Sequence, residues 1–128
     1  ETELYKVGTR FPISVLDRAD AIIFGSPSRY GSPTSEMREF IDSAVQLNKS
    51  KGLHLKDKIG GVFGSYAWDG GAVVDRLAEA LATLGITLVQ PAVAAIDRSG
   101  LMGVRIDEES LQRCRELGKT IAEKLVKL

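Results

Sequence analysis

The fold of this chain is decided by one stretch near its start, AIIFGSPSRYGSP, at residues 21–33. Its first four residues form a continuous apolar run, which is typical of a strand buried on both faces of a parallel sheet. Gly25 ends the predicted strand, and a polar loop follows. A buried strand, a loop and then a helix are the opening of a βαβ unit, so the stretch predicts an α/β protein.

A helix is predicted after this loop, with Ser32 as its N-cap, Pro33 at its first position and an end near residues 48–52. Its apolar stripe is Met37, Phe40, Ile41 and Ala44. The next strand is IGGVF at residues 59–63, whose two glycines indicate close approach of a neighbouring backbone or helix. The helix at residues 72–84 follows, with the stripe Val73, Leu77, Ala80, Leu81 and Leu84.

Further elements are predicted toward both ends of the chain. Residues 2–7 are predicted as a strand and residues 12–19 as a short helix. Residues 87–90 form a strand stopped by Pro91, residues 92–96 can continue it, and residues 97–103 are a loop. A last helix begins after the N-cap Asp107. Its predicted buried stripe is Leu111, Cys114, Leu117, Ile121 and Leu125.

This order predicts a doubly wound, mainly parallel sheet in a single domain that spans residues 1–128.

Composition excludes several classes of function. The 17 basic residues equal the 17 acidic ones, so the chain lacks the basic excess with which proteins grip nucleic acid or an anionic membrane surface. One cysteine and one histidine cannot form a disulfide or a four-ligand zinc site. No stretch is apolar enough to span a bilayer, and we expect a cytoplasmic protein without a metal. Cys114 is interpreted as a small core residue rather than a reactive thiol, and His54 as exposed and structural.

Two polar loops follow the predicted strands, at residues 26–33 and 64–71. If the two strands pair in parallel, both loops open on the same edge of the sheet, where ligands bind in such folds. Tyr30, Tyr66 and Trp68 would then converge and form a platform for a planar ligand. The alternative is that Tyr30 and Trp68 cap the end of the sheet by packing on each other.

The residues of both loops carry a resemblance to a known family. ADAIIFGSPS at residues 19–28, followed by Tyr30 and Gly31, resembles the third strand and ring-binding loop of flavodoxins and flavodoxin-like NAD(P)H:quinone reductases. FGSYAWDGGAV at residues 63–73 is similar to the later loop in the flavodoxin domain of flavodiiron proteins. LQRCRELGK at residues 111–119 is similar to the last helix of that domain.

The resemblance implies FMN as the cofactor, with the ring held between the two loops. The implied cofactor-binding residues are Ser26, Pro27, Ser28, Arg29, Tyr30, Gly31, Ser65, Tyr66, Ala67, Trp68, Asp69 and Gly70. If Arg29 points at the ring it would favour anionic reduced flavin, whereas Asp69 would oppose it. Either charge can instead be solvated.

One part of the family pattern has no counterpart in this sequence. Family members begin with a central strand and a Ser/Thr- and Gly-rich loop that cradles the FMN phosphate at a helix N-terminus. The first element here resembles their second strand, so the fold is predicted to be N-terminally incomplete. Such a sheet would expose the apolar edge of the strand at residues 21–24. A shifted strand 2–7, a second copy of the chain or an upstream segment are the candidates for covering it.

Two functions are compatible with these features. The first is FMN-based redox, either electron transfer to a partner protein or reduction of a quinone by NAD(P)H, with no side chain required as acid, base or nucleophile. The second is a non-catalytic module that binds a protein partner or itself, as a homo-oligomer, through the uncovered edge. Absence of flavin binding, even in a version restored with the upstream segment, would argue against the first function, and a flavin-binding monomer against the second.

Overall fold

A computed structural model describes residues 1–97 and 106–127. Helices and strands alternate along these residues in the predicted manner. The elements are α1 (Val15–Arg18), β1 (Ala21–Pro27), α2 (Ser35–Lys49), β2 (Ile59–Tyr66), α3 (Ala72–Thr83), β3 (Thr87–Leu88), β4 (Val93–Ile96) and α4 (Glu108–Val126). None of the described helices has the length and hydropathy needed to cross a membrane.

The strands form one parallel sheet around β2. β1 pairs with β2 from Ala21 opposite Ile59 to Pro27 opposite Ser65. On the other side of β2, β3 pairs with its first residues and β4 with its last four. β3 and β4 therefore act as one interrupted strand, which confirms the prediction that residues 92–96 continue the preceding strand.

Helices cover both faces of the sheet, as a doubly wound fold requires. On one face, Phe24 and Val62 pack with Leu77 and Leu81 of α3 in the larger core cluster. On the other face, Val89 and Val93 pack with Leu117 and Ile121 of α4. Full burial of these aliphatic side chains stabilises the fold by roughly 1.5–3 kcal/mol each.

The two glycines of β2 lie where neighbours come close, as predicted. A Cβ at Gly60 would lie 2.2 Å from the carbonyl oxygen of Ile22 on β1. A Cβ at Gly61 would lie 3.0 Å from Cδ1 of Ile121 on α4. The Ile22 carbonyl leaves no room for a side chain at position 60, and a side chain at position 61 would require Ile121 to shift.

Two predictions for the first twenty residues are corrected. Residues 2–7 form no strand; Leu4 is 95% exposed, and strand propensity alone does not hold an extended segment that has no partner strand. They therefore do not cover the outer edge of β1, which has no strand partner within the described residues. The predicted helix at residues 12–19 is shorter than expected, since only Val15–Arg18 is helical.

The boundaries around the first loop also differ from the prediction. β1 does not end at Gly25 but runs to Pro27. Ser32 is not the N-cap of α2: its backbone pairs with Arg29, and the Thr34 hydroxyl accepts the capping hydrogen bond from Met37 N at 3.2 Å. β2 likewise extends to Tyr66, so both loops are shorter than predicted.

The last helix agrees with the prediction except on one face. Asp107 is its N-cap, and the carboxylate accepts from Ser110 N at 2.8 Å. Leu111 was expected to be buried, but it is 40% exposed because α4 covers only part of the sheet. Cys114 is half-buried beside it. Apart from Asp97, the predicted loop at residues 97–103 lies outside the described residues.

Candidate functional site

Two loops leave the carboxyl ends of adjacent strands at the same edge of the sheet. Loop A comprises residues 28–34 after β1, and loop B comprises residues 67–71 after β2. The pairing of the two strands continues into loop A, because Ser28 N donates to Ser65 O at 2.7 Å. The predicted juxtaposition of the loops is therefore present, at the edge where ligands bind in parallel α/β sheets.

Loop A contains a tight turn that presents Tyr30. Arg29 N donates to Ser32 O at 2.7 Å, and Ser32 N donates to Arg29 O at 3.1 Å. The two residues between them, Tyr30 and Gly31, have φ of 55° and 84°. Positive φ at both central positions is the pattern of a type I′ turn, which glycine adopts readily and tyrosine only with strain.

The base of loop A is fixed by a buried hydroxyl. The side chain of Ser26 is 6% exposed; its Oγ accepts from Thr34 N at 3.1 Å and donates to Pro27 O at 2.8 Å. These bonds join the end of β1 to the residue that caps α2. The side chain of Ser26 therefore serves the loop scaffold.

Loop B is fixed by the carboxylate of Asp69. Asp69 Oδ2 accepts from the Ser28 hydroxyl and, at 3.2 Å, from Gly31 N, both in loop A. Asp69 Oδ1 accepts from Gly71 N at 3.2 Å, where α3 begins. Asp69 thus joins loop A, loop B and the start of α3 through both of its carboxylate oxygens.

Hydrogen bonds keep the Asp69 carboxylate ionised. The pKa of Asp69 lies below its usual value, chiefly because the Ser28 hydroxyl donates to the charged form. Partial desolvation acts in the opposite direction, and the backbone N–H groups of Gly71 and Gly31 add to the lowering. Hydrogen bonds to the charged form stabilise it relative to the neutral acid.

The aromatic side chains of the two loops are largely free of protein contacts. Tyr30 is 91% exposed and Trp68 is 81% exposed, while Tyr66 at the end of β2 is half-buried. The ring contacts among the described residues join Tyr5, Phe11, Phe40 and Phe24. The interpretation that Tyr30 and Trp68 cap the sheet by packing on each other is therefore wrong.

The remaining predicted residues lie on the same two loops or at the strand ends. Ala67 and Gly70 are exposed in loop B, and a Cβ at Gly70 would meet no atom within 4 Å. Arg29 is exposed, and its Nη1 donates to Ser28 O at 3.2 Å. Pro27 and Ser65 lie opposite each other near the carboxyl ends of β1 and β2. All twelve residues lie on the two loops or on the strand ends that lead into them.

A groove that sequence reasoning missed lies below the loops, on the α4 face of the sheet. It has a volume of about 300 Å³, and Ser26, Pro27 and Ser65 are the predicted residues that reach it. The other lining residues are Gly25, Phe63, Gly64, Ala95, Ile106, Leu111 and Cys114. The Phe63 ring lies over Gly25, where a Cβ would be 2.1 Å from its Cζ. The feature of the sequence that could have indicated this groove is a glycine at position 25 opposite a phenylalanine at position 63.

The other titratable candidates have structural surroundings. Burial raises the pKa of the Cys114 thiol, so the unreactive form is favoured. His54 is exposed, as predicted, and its backbone N donates to Asp17 Oδ1 at 2.6 Å. Within residues 1–97 and 106–127, no three His, Cys, Asp or Glu side chains are grouped to hold a metal ion.

A parallel sheet covered by helices on both faces, with two joined loops at the carboxyl ends of β1 and β2, defines a flavodoxin-like α/β protein. Residues 13–100 match the NADPH-dependent FMN reductase family. The chain belongs to this family.

Known proteins agree with this assignment. An NAD(P)H dehydrogenase (quinone) from Archaeoglobus fulgidus is 36% identical over 119 residues, which cover 85% of this chain and 61% of that protein. A flavodoxin from the domain Archaea is 30% identical, with a TM-score of 0.73 over 90% of this chain and 71% of that one. The flavodiiron core of a Synechocystis protein, 21% identical, shares the fold with a TM-score of 0.70, over 90% of this chain and 25% of that one. The predicted resemblance is confirmed, and the chain spans less than two thirds of the length of the quinone dehydrogenase.

Proposed function

We propose that this chain is an FMN-binding redox protein in which loops A and B hold the isoalloxazine ring. One observation carries the proposal: Tyr30 and Trp68 are exposed on two loops that the protein fastens together through Asp69. Exposed aromatic rings, one of them on a strained backbone at Tyr30, add no stability to the fold, whereas they offer a planar ligand a stacking surface. Membership of the NADPH-dependent FMN reductase family supports FMN as that ligand.

The residues present fit the ring part of FMN. The open space at Gly70 lets backbone groups approach a ligand edge, and Tyr30 and Trp68 provide aromatic faces. Residues 1–97 and 106–127 contain no counterpart of the Ser/Thr- and Gly-rich loop that binds the FMN phosphate in flavodoxins. The ring contacts are therefore the part of the site that we assign to the described residues.

Each group has a distinct part in this proposal. Tyr30 and Trp68 each stack on the ring, and Tyr66 with Ala67 and Gly70 borders the ring on the loop B side. On the loop A side the border is formed by Pro27, Arg29, Gly31 and the backbone of Ser28, whose hydroxyl donates to Asp69. Ser26 and Ser65 hold the two strand ends that carry the loops. Bound flavin supplies the electron and hydride chemistry, and the protein orients it and excludes competing reactions.

We propose two kinds of electron acceptor: a redox partner protein or a quinone reduced by NAD(P)H. The quinone dehydrogenase relative supports the second, and the flavodoxin supports the first. The exposed site at the sheet edge leaves room for either. A single cysteine, which permits no internal disulfide, supports the cytoplasm as the proposed compartment.

Titration with FMN tests the proposal directly. Trp68 is the only tryptophan, so its fluorescence reports on loop B alone. We expect FMN to quench the fluorescence of Trp68 and to have its own fluorescence quenched in a saturable manner. Trp68→Ala should weaken binding, measured by flavin fluorescence, by roughly 5- to 150-fold, the range expected for losing one stacked aromatic ring. Tyr5→Ala, an exposed aromatic outside the loops, is the matched control and should leave binding unchanged. Equal affinity in the wild type and Trp68→Ala would contradict the proposed site.

A second candidate function is self-association through the outer edge of β1. It is favoured by the lack of a strand partner on this edge within the described residues and by the 43% exposure of Ile23 on β1. An unpaired strand edge with exposed apolar residues is a template for pairing with another chain. A flavin-free protein that sediments as a stable dimer, and as a monomer after Ile23→Lys, would favour this candidate. A flavin-binding monomer would exclude it.

A further inference from the structure

We propose that Asp69 is a positioning residue: its carboxylate fastens loop A to loop B and so sets the spacing of Tyr30 and Trp68 before the ring binds. The inference rests on the proposed flavin site. It assigns Asp69 no contact with the ligand, in contrast to the sequence-based expectation of a charge that faces the ring.

The geometry of the carboxylate is the basis of this inference. Oδ2 faces loop A, where the Ser28 hydroxyl donates to it and Gly31 N donates from 3.2 Å. Oδ1 faces α3, where Gly71 N donates from 3.2 Å. Ser28 and Asp69 are separated by 41 residues in the sequence, so their bond joins two segments that the local chain does not hold together.

The turn that presents Tyr30 depends on the same contact. Gly31 N donates both to Asp69 Oδ2 and, at 2.9 Å, to Ser28 Oγ. Gly31 is the residue that follows Tyr30, and both have positive φ. Loss of the carboxylate would leave the Gly31 N–H with one partner instead of two and would release Ser28 from loop B. The strained turn would then have fewer bonds that hold it, and the position of the Tyr30 ring would be less defined.

An ionised aspartate is the side chain that meets this demand. Its three partners, the Ser28 hydroxyl and the backbone N–H groups of Gly31 and Gly71, all donate, and the carboxylate offers two acceptor oxygens, each with two lone pairs. An asparagine offers one acceptor oxygen and a donor NH₂ group, so one of the two sides would oppose a donor to a donor. The neighbouring charged or titratable groups are Arg29 and Tyr30 in loop A, Tyr66 on β2 and Asp75 in the first turn of α3. Hydrogen bonds account for the lowered pKa of Asp69 without an ion pair.

A double-mutant cycle on flavin affinity tests the fastening. FMN and riboflavin are titrated at pH 7 against the wild type, Asp69→Asn, Ser28→Ala and the double variant. Because both single changes break the same contact, each is expected to weaken binding by about tenfold, and the double variant by no more than either. Losses that multiply in the double variant would overturn the inference, as would unchanged affinity in either single variant. Ser35→Ala and Asp75→Asn are the controls, since both side chains are exposed and lie outside the contact.

A second readout needs no flavin. The Asp69 carboxyl is titrated by carbon NMR in the flavin-free chain, over the pH range in which circular dichroism shows that the fold is intact. We expect the pKa of Asp69 to lie below the usual aspartate value in the wild type and to shift upward in Ser28→Ala, with no shift in Ser35→Ala. An equal midpoint in the wild type and Ser28→Ala would overturn the inference even if flavin binds. Failure of the wild type to bind FMN or riboflavin would instead refute the proposed function, and this titration would still decide whether the loops are fastened.

Discussion

Replacing Tyr30 with glycine should change stability and flavin affinity in opposite directions. A left-handed backbone strains an L-residue by roughly 1–2 kcal/mol, and Tyr30 has φ of 55°. Glycine removes that strain but loses roughly 0.5–1 kcal/mol through its greater freedom in the unfolded chain. The Tyr30 ring is 91% exposed, so its removal forfeits little burial. The free energy of unfolding should therefore rise by about 0.8 kcal/mol, within a range of roughly 0–1.5 kcal/mol.

Flavin affinity should fall in the same variant. Loss of a stacked aromatic ring weakens binding by roughly 1–3 kcal/mol, which corresponds to roughly 5- to 150-fold in the dissociation constant. Urea unfolding of the flavin-free chain gives the first quantity, and fluorescence titration with FMN gives the second. A rise in stability with unchanged affinity would show that the strain at Tyr30 serves no ligand.

Lys51→Gly is the matched control for this experiment. Lys51 is exposed, has φ of 65° and lies just after α2, away from both loops. It should show the same gain in stability, because the same strain is relieved, and no change in FMN affinity. If Tyr30→Gly lowers the free energy of unfolding while Lys51→Gly raises it, the prediction is refuted. Such a result would mean that the Tyr30 ring packs on the protein.

Three further predictions concern the scaffold. Leu77→Ala should lower the free energy of unfolding, measured in urea, by about 2–5 kcal/mol, because the Leu77 side chain of α3 is fully buried. Val126→Ala should change it by less than about 0.5 kcal/mol, because Val126 is 87% exposed. Gly118→Ala should raise the free energy of unfolding by about 0.5–1 kcal/mol, because alanine favours the helix and its Cβ would meet no atom within 4 Å. Gly60→Ala should lower the free energy of unfolding, because the alanine Cβ would collide with the Ile22 carbonyl. The reverse order of the two variants in calorimetry would contradict the sheet register. Iodoacetamide should alkylate Cys114 more slowly than free cysteine at pH 7.5, because burial disfavours the thiolate. The rate should increase with pH, with a midpoint above the usual thiol pKa. A rate equal to that of free cysteine would argue against the placement of Cys114 in the groove.

Features with local causes were predictable from the sequence. Asp107 followed by two glutamates specifies a helix start without reference to the rest of the chain, and the N-cap is where the sequence indicates. The apolar run that begins at Ala21 could be assigned to a buried parallel strand because no polar residue interrupts it. The loops were recognisable because tyrosine and tryptophan in glycine-rich polar segments fulfil no packing requirement of a strand or helix.

Features that depend on tertiary contacts were not predictable. Ser32 and Thr34 are both good N-cap residues, and the choice of Thr34 is made by the turn that engages Ser32 and by the Ser26 hydroxyl eight residues earlier. Leu111 matches a buried helical stripe, but its exposure depends on how much of the sheet α4 covers. The role of Asp69 was equally hidden, because its partner Ser28 is 41 residues away.

The central claim is that loops A and B together receive the flavin ring, and a nitrogen–proton NMR titration with FMN tests it most directly. The single indole N–H of Trp68 gives one unique resonance for loop B, and the amide of Gly31 reports on loop A. We predict that both resonances shift with the same dissociation constant, while the amides of the α4 face, such as Leu117, do not move. Shifts confined to the groove around Phe63 and Leu111, or movement of one loop without the other, would contradict the account.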